Sequence, residues 1–269
     1  QGMKTLITEG MQRVASKSNQ GVFHLKKAMG GGKTHLLVGL GLLAKHPGLR
    51  KKYCPDVSYG EEFGIAKGAA FNGRNSPNHF LWGEIAEQLG KPGQFTDFWA
   101  NGPKAPDEKD WLQLFDKGPI LILLDEMPPY FHYLATQKVG AGTVADIATR
   151  AFANMLSAAG KKANVAVVVS DLAAAYETGA NLIHKALDSA RQELGRQERA
   201  ITPVDLTGNE VYEILRKRLF KKLPDKAVIQ EIAASYGKVL SEASKAKHIS
   251  RSAEAIADAQ KARRAAMTA

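Results

Sequence analysis

The sequence is poor in the features that mark secreted and membrane proteins. Of its 269 residues only one is cysteine, Cys54, which excludes an internal disulfide framework and a cysteine-rich zinc site. A single cysteine fits a reducing, cytoplasmic setting. No stretch approaches the ~20 uncharged apolar residues that a membrane helix requires, and no signal peptide is visible. We therefore expect a cytoplasmic protein with no membrane partner, and the start at Gln1 predicts a processed or excised piece of a longer chain.

Acidic residues are also scarce relative to basic ones. The chain has 37 Lys and Arg against 27 Asp and Glu, a formal net charge of +10. Such a surplus favours polyanionic partners, nucleic acid above all, although a lysine-rich solvated surface would give the same count. The segments Arg216-Lys217-Arg218 and Lys221-Lys222 are the candidates for a nucleic-acid or partner surface; the alternative is the solvated face of a helix.

Strand patterns alternate with helix patterns along most of the chain. Strands are predicted at 22–25, 66–71, 120–124 and 165–169, and helices at 5–16, 33–45, 80–90, 107–115 and 143–159. This alternation predicts a parallel sheet of the α/β class. After residue 206 only helical patterns remain, with rising alanine and basic content. We therefore predict a core over residues 1–206 and a small, incomplete helical lid over 207–269.

The first chemical motif is a glycine run followed by Lys33 and Thr34, placed between a predicted strand and a predicted helix. Glycines let backbone N–H groups turn inward around an anion, and the helix N-terminus adds its dipole. In such a loop Lys33 reaches the β- and γ-phosphates and the Thr34 hydroxyl binds Mg²⁺. The predicted nucleotide contacts are Met29, Gly30, Gly31, Gly32, Lys33, Thr34 and His35. The loop departs from the usual pattern at Lys27, where a glycine is expected.

The second motif is the pair Asp125-Glu126 at the end of the apolar strand 120–124. Open α/β sheets bind ligands at the carboxyl ends of their strands, so the two motifs are expected to meet. There Asp125 would hold Mg²⁺, directly or through a water, and Glu126 would polarise the attacking water. The alternative is that the two carboxylates only cap the next helix.

Together these motifs and the trailing helical segment resemble the AAA+ ATPases. More narrowly, one prokaryotic AAA+ family, encoded beside DNA methyltransferases and helicases in anti-phage defence islands, is similar to Ala28-Met29-Gly30-Gly31-Gly32-Lys33-Thr34-His35 and to Leu124-Asp125-Glu126-Met127-Pro128-Pro129-Tyr130. The resemblance implies a three-layer P-loop NTPase fold with a C-terminal helical lid, and ATP and Mg²⁺ as cofactors. It also implies partners: copies of the chain in a homo-oligomer, or other defence-system subunits.

The resemblance implies further roles for individual residues. A polar sensor is expected at the end of the strand beside the Asp-Glu strand, which is Ser170, with Asp171 as its neighbour; the alternative is a serine that caps the following helix. An arginine finger is expected near the lid, with Arg199 first, Arg196 second and Arg191 third. The alternative there is a solvated basic helix end. No lid arginine stands out as a nucleotide sensor, and Arg251 is the only candidate.

We therefore expect magnesium-dependent ATP hydrolysis that drives conformational remodelling, in a DNA-linked role in defence against phage. The first alternative is an ATP-dependent switch or scaffold with little intrinsic hydrolysis; Glu126 argues against it, whereas Lys27 and the uncertain finger permit it. A second alternative, a P-loop kinase, would need a dedicated acceptor pocket. Adjacent Asp and Glu at the strand end favour activation of water instead.

Overall fold

The computed structural model describes most of the first two hundred residues of the chain and part of the rest. The described residues are 2–25, 32–54, 63–75, 79–116, 118–170, 176–194, 198–201, 225, 227–228, 230–239 and 241–242, with the backbone alone at 190–194, 198–199 and 201. The chain divides into two compact units, 1–210 and 211–269, close to the boundary predicted at 206. In the second unit, residues 227–228, 230–239 and 241–242 are helical and exposed. None of the described helices is both long and apolar enough to span a membrane.

The first unit is built on a parallel sheet. Its strands lie in the order β2-β3-β6-β1-β7, and all the pairings between neighbours are parallel. The five strands are β1 (Val22–Leu25), β2 (Lys67–Asn72), β3 (Ile120–Asp125), β6 (Val165–Ser170) and β7 (Glu198–Ile201). A separate antiparallel hairpin is formed by β4 (Lys138–Val139) and β5 (Gly142–Thr143). Every residue of β6 is buried, as expected of a strand covered on both faces. The α/β prediction is therefore confirmed.

Helices cover both faces of this sheet. They are α1 (Gly2–Val14), α2 (Lys33–Lys45), α3 (Pro47–Tyr53), α4 (Phe80–Gln88), α5 (Glu108–Leu114), α6 (Met127–Ala135), α7 (Val144–Lys161) and α8 (Glu177–Leu194), with a short 3₁₀ turn at Thr96–Phe98. Because side chains alternate along a strand, β6 contributes to two cores. Val167 packs in the cluster formed with α4 to α8, whereas Val168 packs in the cluster formed with α1 and α2. The sheet and the helices on its two faces therefore form three layers.

Several local features differ from the sequence-based expectation. Pro128 and Pro129, which follow the third predicted strand, lie in the first turn of α6. Proline is tolerated there because first-turn N–H groups have no partner inside the helix. Helices α3, α6 and α8 and the hairpin were not predicted. Arg199, which was expected near the lid, lies within β7, where it pairs in register with Phe23.

The outer edge of β2 is covered by a side chain from α4. The amide of Gln88 accepts a hydrogen bond from the Ala70 N–H at 2.8 Å and donates one to the Ala70 carbonyl, also at 2.8 Å. These are the two bonds that a neighbouring strand would make at this position. The Gln88 amide therefore takes the place of a sheet partner at the middle of an edge strand.

A buried arginine ties α1 to the end of α7 and the start of β6. The Arg13 side chain is 2% exposed, and burial lowers its pKa from the ordinary value by desolvation. Its guanidinium donates to five backbone carbonyls, those of Val165, Ser18, Ala159, Gly160 and Lys162, at 2.7–3.0 Å. Three of these carbonyls lie at the C-terminus of α7, where helical carbonyls lack intrahelical partners.

We predict that Arg13→Met destabilises the chain by about 3 kcal/mol, because buried carbonyls lose their donors. The measurement is the urea midpoint of unfolding followed by circular dichroism. Arg150→Met is the matched control: Arg150 is exposed on the same helix, α7, and its replacement should change stability by no more than about 0.5 kcal/mol. Equal destabilisation by the two substitutions would contradict the stabilising role of the Arg13 hydrogen bonds.

Candidate functional site

The carboxyl ends of β1, β6 and β3 lie side by side at one edge of the sheet. Leu25 pairs in register with Ser170, and Leu124 with Val169. The segments that follow these strands therefore emerge at the same edge, which we call the C-terminal edge. The predicted site residues Thr34, Asp125 and Ser170 belong to three separate segments of the chain. The fold brings all three segments to the C-terminal edge.

Thr34 and Asp125 are in direct contact, although 91 positions separate them in the sequence. The Thr34 hydroxyl donates a hydrogen bond to Asp125 Oδ2 at 2.6 Å. The other carboxylate oxygen of Asp125 accepts a bond from the Glu126 N–H at 3.1 Å, which fixes the plane of the carboxylate. The Asp125 side chain is largely buried, with 8% exposure. The two motifs thus meet through their predicted magnesium ligands.

The N-terminus of α2 has no side-chain cap. Its N-cap residue is Gly32, which has a left-handed backbone at φ 72° and ψ 17°, and the first turn has no acidic residue. Glycine adopts this conformation without a steric penalty. By contrast, α5 and α7 begin with complete capping boxes, built on Asp107 and Thr143. The first-turn N–H groups of α2 and their dipole therefore suit an external anion. The buried Lys33 is the first residue of this helix.

Glu126 has an unusual backbone and does not cap the helix that follows it. It is the N-cap residue of α6 with φ 51° and ψ 43°, and its side chain makes no capping hydrogen bond. The capping alternative for Glu126 is therefore wrong. Its carboxylate instead forms an ion pair with Arg74, a residue that follows β2. This hydrogen bond, and the negative charge of the same carboxylate, raise the pKa of Arg74.

Arg74 was missed at the sequence level, and the turn that carries it holds the site together. The Asn72 side chain accepts a hydrogen bond from the Arg74 N–H at 2.9 Å, and the Gly73 N–H donates to the Asp125 carbonyl at 2.8 Å. A Cβ at Gly73 would lie 2.0 Å from the Glu126 carbonyl oxygen. The signal in the sequence was the Asn-Gly pair after a strand, which is typical of a turn.

Ser170 ends β6 between the glycine-loop strand and the Asp-Glu strand. Its side chain is fully buried, and among the described residues its hydroxyl has no hydrogen-bond partner. The alternative that Ser170 caps a following helix stays open, because residues 171–175 lie outside the described residues. A buried hydroxyl without a partner is costly, and its position at the C-terminal edge suits a group that interacts with a bound ligand.

Other predicted residues cannot be placed. Lys27, Met29, Gly30, Gly31, Asp171, Arg196 and Arg251, and the basic segments 216–218 and 221–222, lie outside the described residues. Arg191 lies in α8 and Arg199 in β7, but only their backbones are described. His35 is exposed on α2, directly after Thr34. The arginine finger therefore stays a prediction.

The described residues contain no group of three or more His, Cys, Asp or Glu side chains that could hold a metal ion. Mg²⁺ does not need such a cage, because it commonly takes one or two protein oxygens and completes its shell with phosphate oxygens and water. The hydroxyl of Thr34 and the carboxylate of Asp125 are hard oxygen ligands of that kind. Comparison with protein-family models and with curated proteins finds no match for this chain.

We predict that Gly73→Ala destabilises the chain by about 2 kcal/mol or more, because its Cβ would force the Glu126 backbone to move. Gly39→Ala is the control, since a Cβ at this position in α2 meets no atom within 4 Å. It should leave stability unchanged or raise it by up to about 1 kcal/mol. Thermal unfolding measures the stability of both variants. An unchanged melting temperature for Gly73→Ala would refute the close packing of Gly73 against the Glu126 backbone.

Proposed function

We propose that this chain binds ATP with magnesium at the C-terminal edge and hydrolyses it. The observation that carries the proposal is the hydrogen bond between Thr34 and Asp125. The sequence assigned these two residues to magnesium from separate motifs. Their contact supports a shared ligand, because the fold brings together the two oxygen ligands that the sequence predicted for one ion.

The spacing of the two oxygen atoms supports magnesium in particular. Neighbouring oxygens of an octahedral Mg²⁺ shell, each about 2.1 Å from the ion, lie about 3.0 Å apart. Thr34 Oγ1 and Asp125 Oδ2 lie 2.6 Å apart, so a small separation would admit the ion between them. Magnesium would neutralise charge on the β- and γ-phosphates.

The remaining groups fit the steps of phosphate cleavage. The uncapped first turn of α2 offers N–H donors to phosphate oxygens, and Lys33 would pair with the β- and γ-phosphates. Glu126 lies next to Asp125 and would orient the attacking water and accept its proton. Ser170, which is buried and has no hydrogen-bond partner within the described part of the chain, would donate its hydroxyl to the γ-phosphate or to the water.

The strand order supports a relation to the AAA+ ATPases. The strand that ends in Ser170 lies directly beside the Asp-Glu strand, as the resemblance implied. The wider role, ATP-driven remodelling linked to DNA in defence against phage, is supported by the sequence resemblance alone.

The ion pair of Arg74 with Glu126 favours a second candidate, an ATP-dependent switch with little intrinsic hydrolysis. Arg74 follows β2, on the side of β3 opposite β6 and β1. The ion pair therefore draws the Glu126 carboxylate away from the strand that leads into the glycine loop. While the pair persists, Glu126 is held from the position where an attacking water would lie.

We predict that wild-type protein releases phosphate from ATP in the presence of Mg²⁺ and that EDTA abolishes the release. Lys33→Ala should abolish turnover by weakening nucleotide binding. Glu126→Gln should lower kcat by about 100-fold or more while ATP still binds, because only the general base is lost. The measurements are a phosphate-release assay and binding of a fluorescent ATP analogue.

Lys138→Gln is the control for these variants, since Lys138 lies on the exposed β4–β5 hairpin. It should turn over ATP at the wild-type rate. Tight ATP binding without phosphate release under any condition would favour the switch, whereas a wild-type chain that does not bind ATP would refute both candidates.

We predict that Arg74→Ala raises kcat by up to about fivefold with little change in KM, because the Glu126 carboxylate is freed. The effect should be small, because an ion pair this exposed is screened by solvent and holds Glu126 only weakly. Arg74→Lys keeps the charge and should stay closer to wild type. A fall in kcat for Arg74→Ala would mean that Arg74 holds Glu126 in its working position instead.

A further inference from the structure

The second unit contains a helix with an exposed apolar stripe. This helix is described at residues 227–228, 230–239 and 241–242, and we call it the second-unit helix. Its large apolar side chains are 43–67% exposed at Val228, Ile232, Tyr236 and Val239. They follow one another at spacings of four, four and three residues. At about 100° per residue they lie within an arc of about 80°, on one face of the helix.

Exposed apolar side chains are concentrated on this helix. Of the eleven large apolar side chains that are exposed in the described part of the chain, four belong to it. Single exposed apolar residues are normal, but a continuous apolar surface marks a place of interaction. Here the four side chains extend over three helical turns, about 16 Å. The stripe therefore predicts a partner with an apolar surface of similar length.

The polar side of the second-unit helix fits neither a lipid surface nor a nucleic acid. Its charged residues, among those described, are Glu231, Lys238 and Glu242, so acids outnumber bases. A helix that lies on a membrane carries Lys and Arg on its polar face, and the same residues bind phosphate backbones. The stripe instead fits a protein surface, which is apolar at its centre and carries charges of both signs at its rim.

The spacing of Glu231 and Lys238 suits a second copy of the same helix that runs in the opposite direction. The two residues are exposed and seven positions apart, almost two full turns, so they lie on the same flank of the stripe. In an antiparallel pair with a two-fold axis between positions 234 and 235, Glu231 comes level with Lys238 of the second copy. The symmetry gives a second, identical pair. Charged residues beside an apolar seam set the direction in which two helices pair.

The same two-fold axis also closes the apolar stripe. Ile232 then lies about 1.5 Å along the helix from the level of Tyr236 of the second copy, and Val228 about 3 Å from the level of its Val239. The apolar side chains of the two copies therefore alternate along the seam. In a parallel pair the flank that bears Glu231 would face the opposite flank of the second copy, where the described residues carry no charge. The antiparallel direction is thus the one that satisfies both the charges and the stripe.

We propose that the second-unit helix binds the same helix of a second copy of this chain, in the antiparallel direction, and so forms a homodimer. Both copies use the same surface, as in most symmetric dimers. Three helical turns bury a small area, so the association is weak and reversible. The inference rests on neither ATP binding nor ATP hydrolysis.

The test is sedimentation equilibrium of the full chain, without nucleotide, at rising protein concentration. The charge variants are Glu231→Lys, Lys238→Glu and the double exchange, which restores both pairs with their signs reversed. The two single variants change the net charge in opposite directions, so bulk charge cannot explain a common effect. Ile232→Gln removes apolar contact from the stripe. Asp97→Lys is the control, because Asp97 is an exposed carboxylate of the first unit.

We expect the wild-type protein to approach twice the mass of the chain as its concentration rises. Each single charge exchange should weaken dimerisation about tenfold, because both symmetric pairs become repulsive, and the double exchange should restore it. Ile232→Gln should weaken dimerisation by about tenfold or more, whereas Asp97→Lys should match wild type. All variants should keep the wild-type circular dichroism spectrum. A monomer at every concentration would overturn the proposal. So would single exchanges without effect, a double exchange that does not restore dimerisation, or association that appears only with ATP.

Discussion

The pairing of β6 with both β1 and β3 is the constraint on which the candidate site depends. It inserts one strand between the strand that leads into the glycine loop and the strand that ends in Asp125. Two strand spacings, about 10 Å, then separate those strands. The first residues of α2 and the end of β3 bridge this gap, so that Thr34 reaches Asp125 across the end of β6. Ser170, at the end of that inserted strand, is fully buried.

The same parallel order gives the two edges different electrostatic characters. Strands end where α2 begins, so the C-terminal edge combines a positive helix end with the carboxylates of Asp125 and Glu126. Helices α2 and α7 end at the other edge, and their carbonyls are satisfied from within by Arg50 and Arg13.

The elements with strong periodicity could be predicted from the sequence, and so could the contact between the two motifs. The bounds predicted for α2 agree with the structure, because Gly32 and Pro47 mark both ends. Arg74 could not be predicted, since nothing in the sequence relates a turn after β2 to Glu126. Arg13 and Arg50 were likewise hidden: each reads as an ordinary surface arginine, and only the packing shows that it is buried against carbonyls.

The amide of Gln88 covers part of the β2 edge of the sheet, and it does so reversibly. Its two hydrogen bonds cover the N–H and the carbonyl of Ala70. A rotation of the Gln88 side chain would expose both groups. An extended segment could then add to β2 without any change in the core beneath it. The Gln88 side chain therefore opposes strand addition at the middle of β2, whether by a partner peptide or in aggregation.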